Sequence, residues 1–297
     1  MKNILLFGAG KSANVLIDYL LKNAAEEKWF VTVIDADIML ANGKIGKSDF
    51  GKAYSFDIND SEERKKHISK ADIVISLMPP SLHFLVAKDC VELEKNLLTA
   101  SYVDDQMRSL QKQIEDKDLL FLCEMGLDPG IDHMSAKKMI DNIHQDQGKI
   151  TSFHSHCGGL VAPESDNNPW HYKISWNPKN VINAGKTGAI FKKENEIKEL
   201  QYKDLFAEKR FVSIPGHQPL CWYPNRDSLS YLNLYDLTDC STFIRTTLRH
   251  PDFIYGWKNI IELELTDEKK TYDTTRLSLA AFFKTHMDQN GFSEWLE

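Results

Sequence analysis

Asn3-Ile4-Leu5-Leu6-Phe7-Gly8-Ala9-Gly10-Lys11-Ser12-Ala13 stands near the start of the chain, and its reading decides the fold. Asn3 to Phe7 is a short, continuous apolar run, the pattern of a parallel strand covered on both faces. The glycines break it, and Ser12 to Leu21 then places Val15, Leu16, Tyr19 and Leu20 on one face of a predicted helix. The form G-x-G-x-x-A between strand and helix gives each small residue a task. Gly8 permits the tight turn, Gly10 lets a pyrophosphate approach the backbone, and Ala13 lets the helix pack close to the strand. Unpaired N–H groups at the helix start attract phosphate oxygens. A dinucleotide is the expected ligand; a turn of this shape that has lost its ligand is the alternative.

The alternation of strand and helix continues downstream. Phe30 to Asp35, Ala53 to Asp57, Ile73 to Met78, Leu97 to Ser101 and Leu119 to Cys123 read as strands. Helical patterns lie around Ser61 to Lys70, Leu82 to Glu94 and Gln106 to Asp116, with the acidic start of Ser61 to Lys66 read as a solvated face. Repeated β-α-β of this kind predicts an α/β, Rossmann-type, doubly wound sheet over residues 1–148. From Ile150 the chain becomes strand-rich and rich in turns and prolines, which predicts an α+β domain over 149–238. After Thr238 a small helical segment is expected to 297, through Phe243 to Leu248, Trp257 to Leu263 and Leu277 to Phe283.

The bulk properties narrow the function. With 297 residues and a 42% hydrophobic fraction, the chain can build more than one small domain around sizeable cores. A net charge of -7 opposes general nucleic-acid binding and an anionic membrane surface, because both need excess Lys and Arg. Small molecules and other protein chains, a homodimer among them, are the expected partners. Five scattered cysteines without a Cys-x-x-Cys pair read as reduced thiols of a cytoplasmic protein. The start reads directly into a strand rather than a signal peptide, and no apolar run reaches the ~20 residues of a membrane span.

Asp35 ends the second predicted strand, where a carboxylate can accept from both ribose hydroxyls of NAD. A 2'-phosphate there would meet Asp35 and Asp37 with no arginine near in sequence, so NAD is expected over NADP. A second cluster, Glu124-Met125-Gly126-Leu127-Asp128-Pro129-Gly130-Ile131-Asp132-His133, follows a buried strand, at the edge where open α/β sheets bind ligands. Asp128 can hold a reactive nitrogen, or act as a base if burial raises its pKa. Asp132 caps the following helix or takes part in chemistry, and His133 is a structural hydrogen-bonder or a catalyst. His154 and His156 share one strand face but lack a third ligand at suggestive spacing. Hydride transfer needs no metal, so no metal is expected. Cys157-Gly158-Gly159 marks a close backbone approach. Arg226 and Arg249 are single arginines able to clamp a carboxylate with a bidentate fork, or to form surface ion pairs.

Several separated motifs resemble the saccharopine dehydrogenase (L-glutamate-forming), or saccharopine reductase, family. They include Ile73-Val74-Ile75-Ser76-Leu77-Met78-Pro79, Thr99-Ala100-Ser101-Tyr102, Gly126 to Met134 and Cys157-Gly158-Gly159-Leu160. Ala162-Pro163-Glu164, Asn168-Pro169, Tyr172-Lys173-Ile174-Ser175-Trp176, Tyr223 to Ser228 and Thr247-Leu248-Arg249 complete the set. The resemblance implies oxidation of the secondary amine of saccharopine to glutamate and 2-aminoadipate 6-semialdehyde, or the reverse. It implies cofactor contacts from Gly8, Ala9, Gly10, Lys11, Ser12, the region of Asp35, Asp57, Ile58, Met78, Leu127, Asp128, Pro129 and Asn177. Saccharopine is implied to lie against Ser101, Tyr102, Asp128, Arg226, Thr247, Leu248 and Arg249, with Asp128 and Tyr102 handling protons. Three departures accompany it. Lys11-Ser12-Ala13 replaces bulkier apolar residues, Asp35 replaces the small or basic segment of NADP users, and the chain ends where family members continue. A carboxynorspermidine dehydrogenase-like enzyme and an inactive cofactor-binding form are the alternatives.

Overall fold

The computed structural model describes residues 1–175, 178–269 and 271–296. The chain divides into two compact units, Met1–Lys138 and Met139–Glu297. Among the described residues no helix is long and apolar enough to cross a membrane.

In the first unit six strands form one parallel sheet: β1 (Lys2–Phe7), β2 (Trp29–Ile34), β3 (Gly51–Tyr54), β4 (Ile73–Ser76), β5 (Asn96–Thr99) and β6 (Phe121–Leu122). Their order is β3-β2-β1-β4-β5-β6, so the winding reverses between β1 and β4. Ligands of such sheets bind outside the strand ends at that reversal. Helices α1 (Asn14–Glu27), α2 (Ile38–Ile45), α3 (Ser61–Ile68) and α4 (His83–Glu92) alternate with the strands. The short α5 (Asp105–Arg108) and α6 (Gln111–Asp116) precede β6, and α7 (Ile131–Gln145) follows it. Leu5 and Phe7 enter one hydrophobic cluster, while Ile4 and Leu6 enter another. Side chains of a strand alternate between faces, so two covered faces require the unbroken apolar run of β1.

Two expectations for this unit are corrected. The buried side of α1 and of the turn leading into it is Ala13, Ile17, Leu20 and Ala24, while Val15 and Tyr19 are 81% and 57% exposed. The spacing of the buried set follows the helical period, and Ala13 and Ala24 are apolar residues small enough to let the helix lie close to the sheet. Second, Ser61 to Lys66 is more than a solvated face. Asp60 caps α3 by accepting from the N–H groups of Glu62 and Glu63, but Arg64 turns inward. Its Nε lies 2.5 Å from Asp89 Oδ2 on α4, and its Nη1 donates to the Ile58 carbonyl. Both partners are about 6% exposed at the side chain. Removing one leaves the other charge buried and alone, so Arg64→Ala should cost about 3–5 kcal/mol in urea unfolding. A loss within about 1 kcal/mol, the range of an exposed pair, would contradict this reading.

Among the described residues the second unit is built on a seven-stranded mixed sheet. Its strands are β7 (Ser152–Cys157), β8 (Ala189–Lys193), β9 (Glu196–Leu200), β10 (Arg210–Val212), β11 (Leu220–Pro224), β12 (Arg226–Asp227) and β13 (Thr242–Arg249). Helices α8 (Pro178–Ile182), α9 (Tyr202–Leu205), α10 (Pro251–Glu262) and α11 (Leu279–Gln289) accompany them. The expectation of helix from Phe243 to Leu248 is overturned: this stretch is β13, paired with β7 on one side and β11 on the other. Thr242, Ile244, Thr246 and Thr247 are β-branched and suit a pleated surface, and β13 is buried along nearly its whole length. Its apolar residues repeat too irregularly to separate a two-sided strand from a helix by period alone. Phe153 of β7 stacks on Phe243 with ring centroids 4.8 Å apart, which fixes that pairing.

Candidate functional site

The glycine turn sits at the reversal of strand order. Gly8 has φ +100, and a Cβ there would lie 2.8 Å from the Leu77 carbonyl oxygen, so only glycine fits. A Cβ on Gly10 would meet nothing within 4 Å. Its bareness serves open space beside the backbone, as a pyrophosphate cradle requires. Lys11–Ala13 begins the helix as a 3-10 turn without a side-chain cap, leaving N–H groups for an anion. Lys11 and Ser12 are exposed there. Asp35 Oδ2 accepts from the Ala9 N–H at 2.7 Å and Oδ1 from the Asp37 N–H at 3.0 Å. That carboxylate is thereby fixed against the turn. Asp57 and Ile58 follow β3, and Asp57 accepts from the Asn59 backbone and side chain, which hold its carboxyl below the usual range. Met78 leaves the end of β4 and packs on the core.

Past the ends of β4, β5 and β6 lies a polar chain. Ser76 Oγ is 2.8 Å from His83 Nδ1, and His83 Nε2 is 2.8 Å from Ser101 Oγ. Burial lowers the His83 pKa to about 4, so the imidazole is neutral and relays hydrogen bonds rather than charge. Sequence reading missed His83. A single histidine in an apolar helix gives no signal until the fold joins residues seven and eighteen positions away.

Next to Ser101, the Tyr102 hydroxyl donates to Asp128 Oδ1 at 2.7 Å. The turn carrying Asp128 is held by its backbone: Gly126 N–H donates to the Pro129 carbonyl, Ile131 N–H to Gly126, and Asp132 N–H to Leu127. Gly130 has φ +149, and a Cβ there would fall 2.0 Å from the Gly126 carbonyl oxygen. Asp132 Oδ1 accepts from the Gly130 N–H, which fits the helix-start reading of Asp132. His133 Nε2 lies 3.0 Å from Glu124 Oε2, while Glu124 Oε1 accepts from the Val103 N–H. His133 is therefore held from a carboxylate that also fixes the loop of Tyr102. Leu127 is exposed beside this turn and Pro129 is buried in it. Asn177 falls outside the described residues.

On the second unit, Arg249 is 6% exposed. Its guanidinium stands over Tyr172, at 4.8 Å, and Phe253, at 5.4 Å, and Nη1 donates to the Leu248 carbonyl. Its Nε is buried without a hydrogen-bond partner among the described residues. Thr247 lies beside Arg249 on β13, in register with Cys157 of β7 and Tyr223 of β11. Burial pushes the Tyr223 hydroxyl up, against the pull of Arg249 and a hydrogen bond with Thr247. Arg226 is exposed, with φ 51. The close approach at Gly158 is real: a Cβ would lie 2.3 Å from the Leu248 carbonyl oxygen. His154 and His156 share a face of β7 beside Trp222, and burial lowers both pKa values. All five cysteines are free.

Comparisons with known proteins agree with this geometry. Residues 4–122 match the model described as the saccharopine dehydrogenase NADP binding domain, and 126–292 match the saccharopine dehydrogenase C-terminal domain. The chain is 40% identical over 272 residues to an alpha-aminoadipic semialdehyde synthase of Arabidopsis thaliana, covering 84% of this chain and 25% of that protein. It is 38% identical over 264 residues to the NADP(+), L-glutamate-forming saccharopine dehydrogenase of Saccharomyces cerevisiae, covering 88% and 58%. The solved apo structure of the L-Glu-forming saccharopine dehydrogenase from S. cerevisiae superposes with TM-score 0.85 at 33% identity, over 97% of this chain and 64% of the other. The chain thus spans between a quarter and about three fifths of the curated relatives named here. With a dinucleotide fold, its strand-end cluster and both family models in order along the sequence, this chain belongs to the saccharopine dehydrogenase family.

Proposed function

We propose that this chain is a nicotinamide-dependent oxidoreductase acting on the secondary amine of saccharopine, releasing glutamate and 2-aminoadipate 6-semialdehyde, or running the reverse. The observation that carries the reading is the Tyr102–Asp128 hydrogen bond on the strand-end turn of a dinucleotide fold. The nicotinamide, when bound, accepts a hydride from the carbon beside the amine nitrogen. Before that carbon can give up hydride, the nitrogen must be deprotonated, and Asp128 is the base in reach of the Tyr102 network. The resulting imine takes up water and splits into amine and aldehyde. Tyr102 can pass a proton between Asp128 and that nitrogen, and the Ser76–His83–Ser101 chain fixes the neighbouring hydroxyl. Saccharopine carries three carboxylates, and Arg249 is a buried cation whose Nε has no hydrogen-bond partner among the described residues. Arg226 and Thr247 belong to the same proposed recognition set. Free cysteines fit a reducing compartment such as the cytoplasm.

We further propose NAD as the preferred cofactor, although the yeast relative's name carries NADP(+). The Asp35 carboxylate is held by two N–H groups, and Asp37 caps α2 by accepting from Met39 and Leu40. A 2'-phosphate would face that pair at a cost of ~1–4 kcal/mol per close charge. Saccharopine-dependent reduction should therefore show kcat/KM at least ~10-fold higher with NAD than NADP. An NADP preference would overturn the cofactor choice alone. Turnover with carboxynorspermidine instead of saccharopine, or NADH binding without turnover, would overturn the substrate reading.

A further inference from the structure

We propose that His171, His250 and Asp252 form a binding site for a divalent metal of the zinc class, oriented by Asp166. The proposal is independent of the dehydrogenase reading. One donor atom from each of the three residues lies within 4.8 Å of the others. Asp252 Oδ2 is 3.6 Å from both His171 Nε2 and His250 Nδ1. Tetrahedral zinc with bonds of ~2.0–2.2 Å separates its ligands by about 3.4 Å, so little movement is needed.

Proton placement strengthens the case. His171 Nδ1 lies 2.6 Å from Asp166 Oδ2, an arrangement in which the ring N–H donates to the carboxylate. That contact leaves Nε2 of a neutral ring as a lone pair facing Asp252. His250 Nδ1 accepts the Asp252 N–H at 3.2 Å, so this nitrogen too carries a lone pair. Two nitrogen lone pairs and a carboxylate oxygen thus converge, and a bound cation would replace the Asp252 N–H as the partner of His250 Nδ1. A carboxylate behind a ligating histidine is the usual outer-shell partner in zinc sites, fixing both tautomer and ring orientation.

The surroundings are compatible with a metal. The two imidazoles lie with ring centroids 3.8 Å apart, so protonating both is unfavourable. The start of α10 carries partial positive charge, which opposes a cation. Asp252 and Asp166 supply two negative charges to offset it and a dication together. His171 has φ 48, a left-handed conformation uncommon outside glycine. A bound ion would tie the segment from Asp166 to His171 to the β13–α10 junction. The next residues, Tyr172 and Arg249, form the cation–π pair of the proposed substrate site.

The test uses untagged, chelator-treated protein titrated with zinc chloride in a non-coordinating buffer by calorimetry. One ion per chain is expected, with a thermal midpoint that rises with zinc concentration. His171→Ala and Asp252→Asn should each abolish saturable binding. Asp166→Asn, which keeps every ligand, should weaken it about 10- to 100-fold. Cobalt in place of zinc should give the intense visible bands of four-coordinate nitrogen and oxygen ligation in the wild-type protein. That readout stands even if a variant fails to fold. Equal affinity in wild type and a folded His171→Ala/His250→Ala protein would overturn the site. So would cobalt–thiolate absorption, which would place the ion on cysteine, or the absence of saturable binding.

Discussion

Asp128→Asn should lower kcat for saccharopine oxidation by about 100- to 10,000-fold, the range of a lost general base. Asparagine keeps the shape and still offers an oxygen to the Tyr102 hydroxyl, now 2.7 Å from Asp128 Oδ1. The turn should survive, because backbone hydrogen bonds from Gly126, Ile131 and Asp132 hold it rather than the carboxylate. What the amide cannot do is take a proton from the substrate's ammonium. Hydride leaves only from the carbon beside a nitrogen with a free electron pair, so the loss falls on the chemical step. Nucleotide affinity, measured by NADH fluorescence, should stay close to wild type. A kcat within about threefold of wild type would remove Asp128 from proton transfer, since that is far below the contribution of a positioned base.

Arg249→Met should raise the saccharopine KM by about 10- to 150-fold without destabilising the ligand-free protein. A hydrogen bond to a charged group contributes about 1.5–3 kcal/mol, which sets that range. The stability side is the discriminating half. Arg249 is buried, its Nε has no hydrogen-bond partner among the described residues, and its charge is offset by aromatic faces and one carbonyl. Cation–π contacts recover roughly 2 kcal/mol when desolvated, while an incompletely paired buried ion costs several. A methionine of similar length fills the slot between Tyr172 and Phe253 without that charge. Denaturant midpoints should be unchanged or higher, with weaker substrate binding. A variant that unfolds more easily but keeps its KM would make Arg249 a structural residue.

Legibility differed between the two units for a physical reason. In the first, Ile4 to Phe7 are buried on alternating faces, and the unbroken apolar run that this demands is visible in one dimension. The strand boundaries were less so. β4 stops at Ser76 and β5 at Thr99, which leaves Leu77 to Pro79 and Ala100 to Tyr102 as loops of the proposed site. In the second, β13 mixes threonines, arginines and apolar residues because both of its faces are covered and several of its polar groups find partners inside the fold. The Ser228 hydroxyl accepts from the Arg245 N–H, and Thr246 Oγ1 lies 2.6 Å from His156 Nδ1. No period marks such a strand. Arg64 misled for a related reason: its buried partner Asp89 is 25 positions away on another helix.

The sequence by itself determined the dinucleotide turn, the β-α-β frame, the family and the residues around Asp128. Each depends on local spacing: glycines where a Cβ would strike the backbone, small residues where a helix meets a strand, a carboxylate at a strand end. Tertiary structure alone decided the groups whose members lie far apart along the chain. These are the Ser76–His83–Ser101 chain, the buried Arg64–Asp89 pair, the aromatic box around Arg249, and His171 with His250 and Asp252. Coulomb and hydrogen-bond energies fall off with distance in space, and sequence separation does not measure that distance until the sheets are formed.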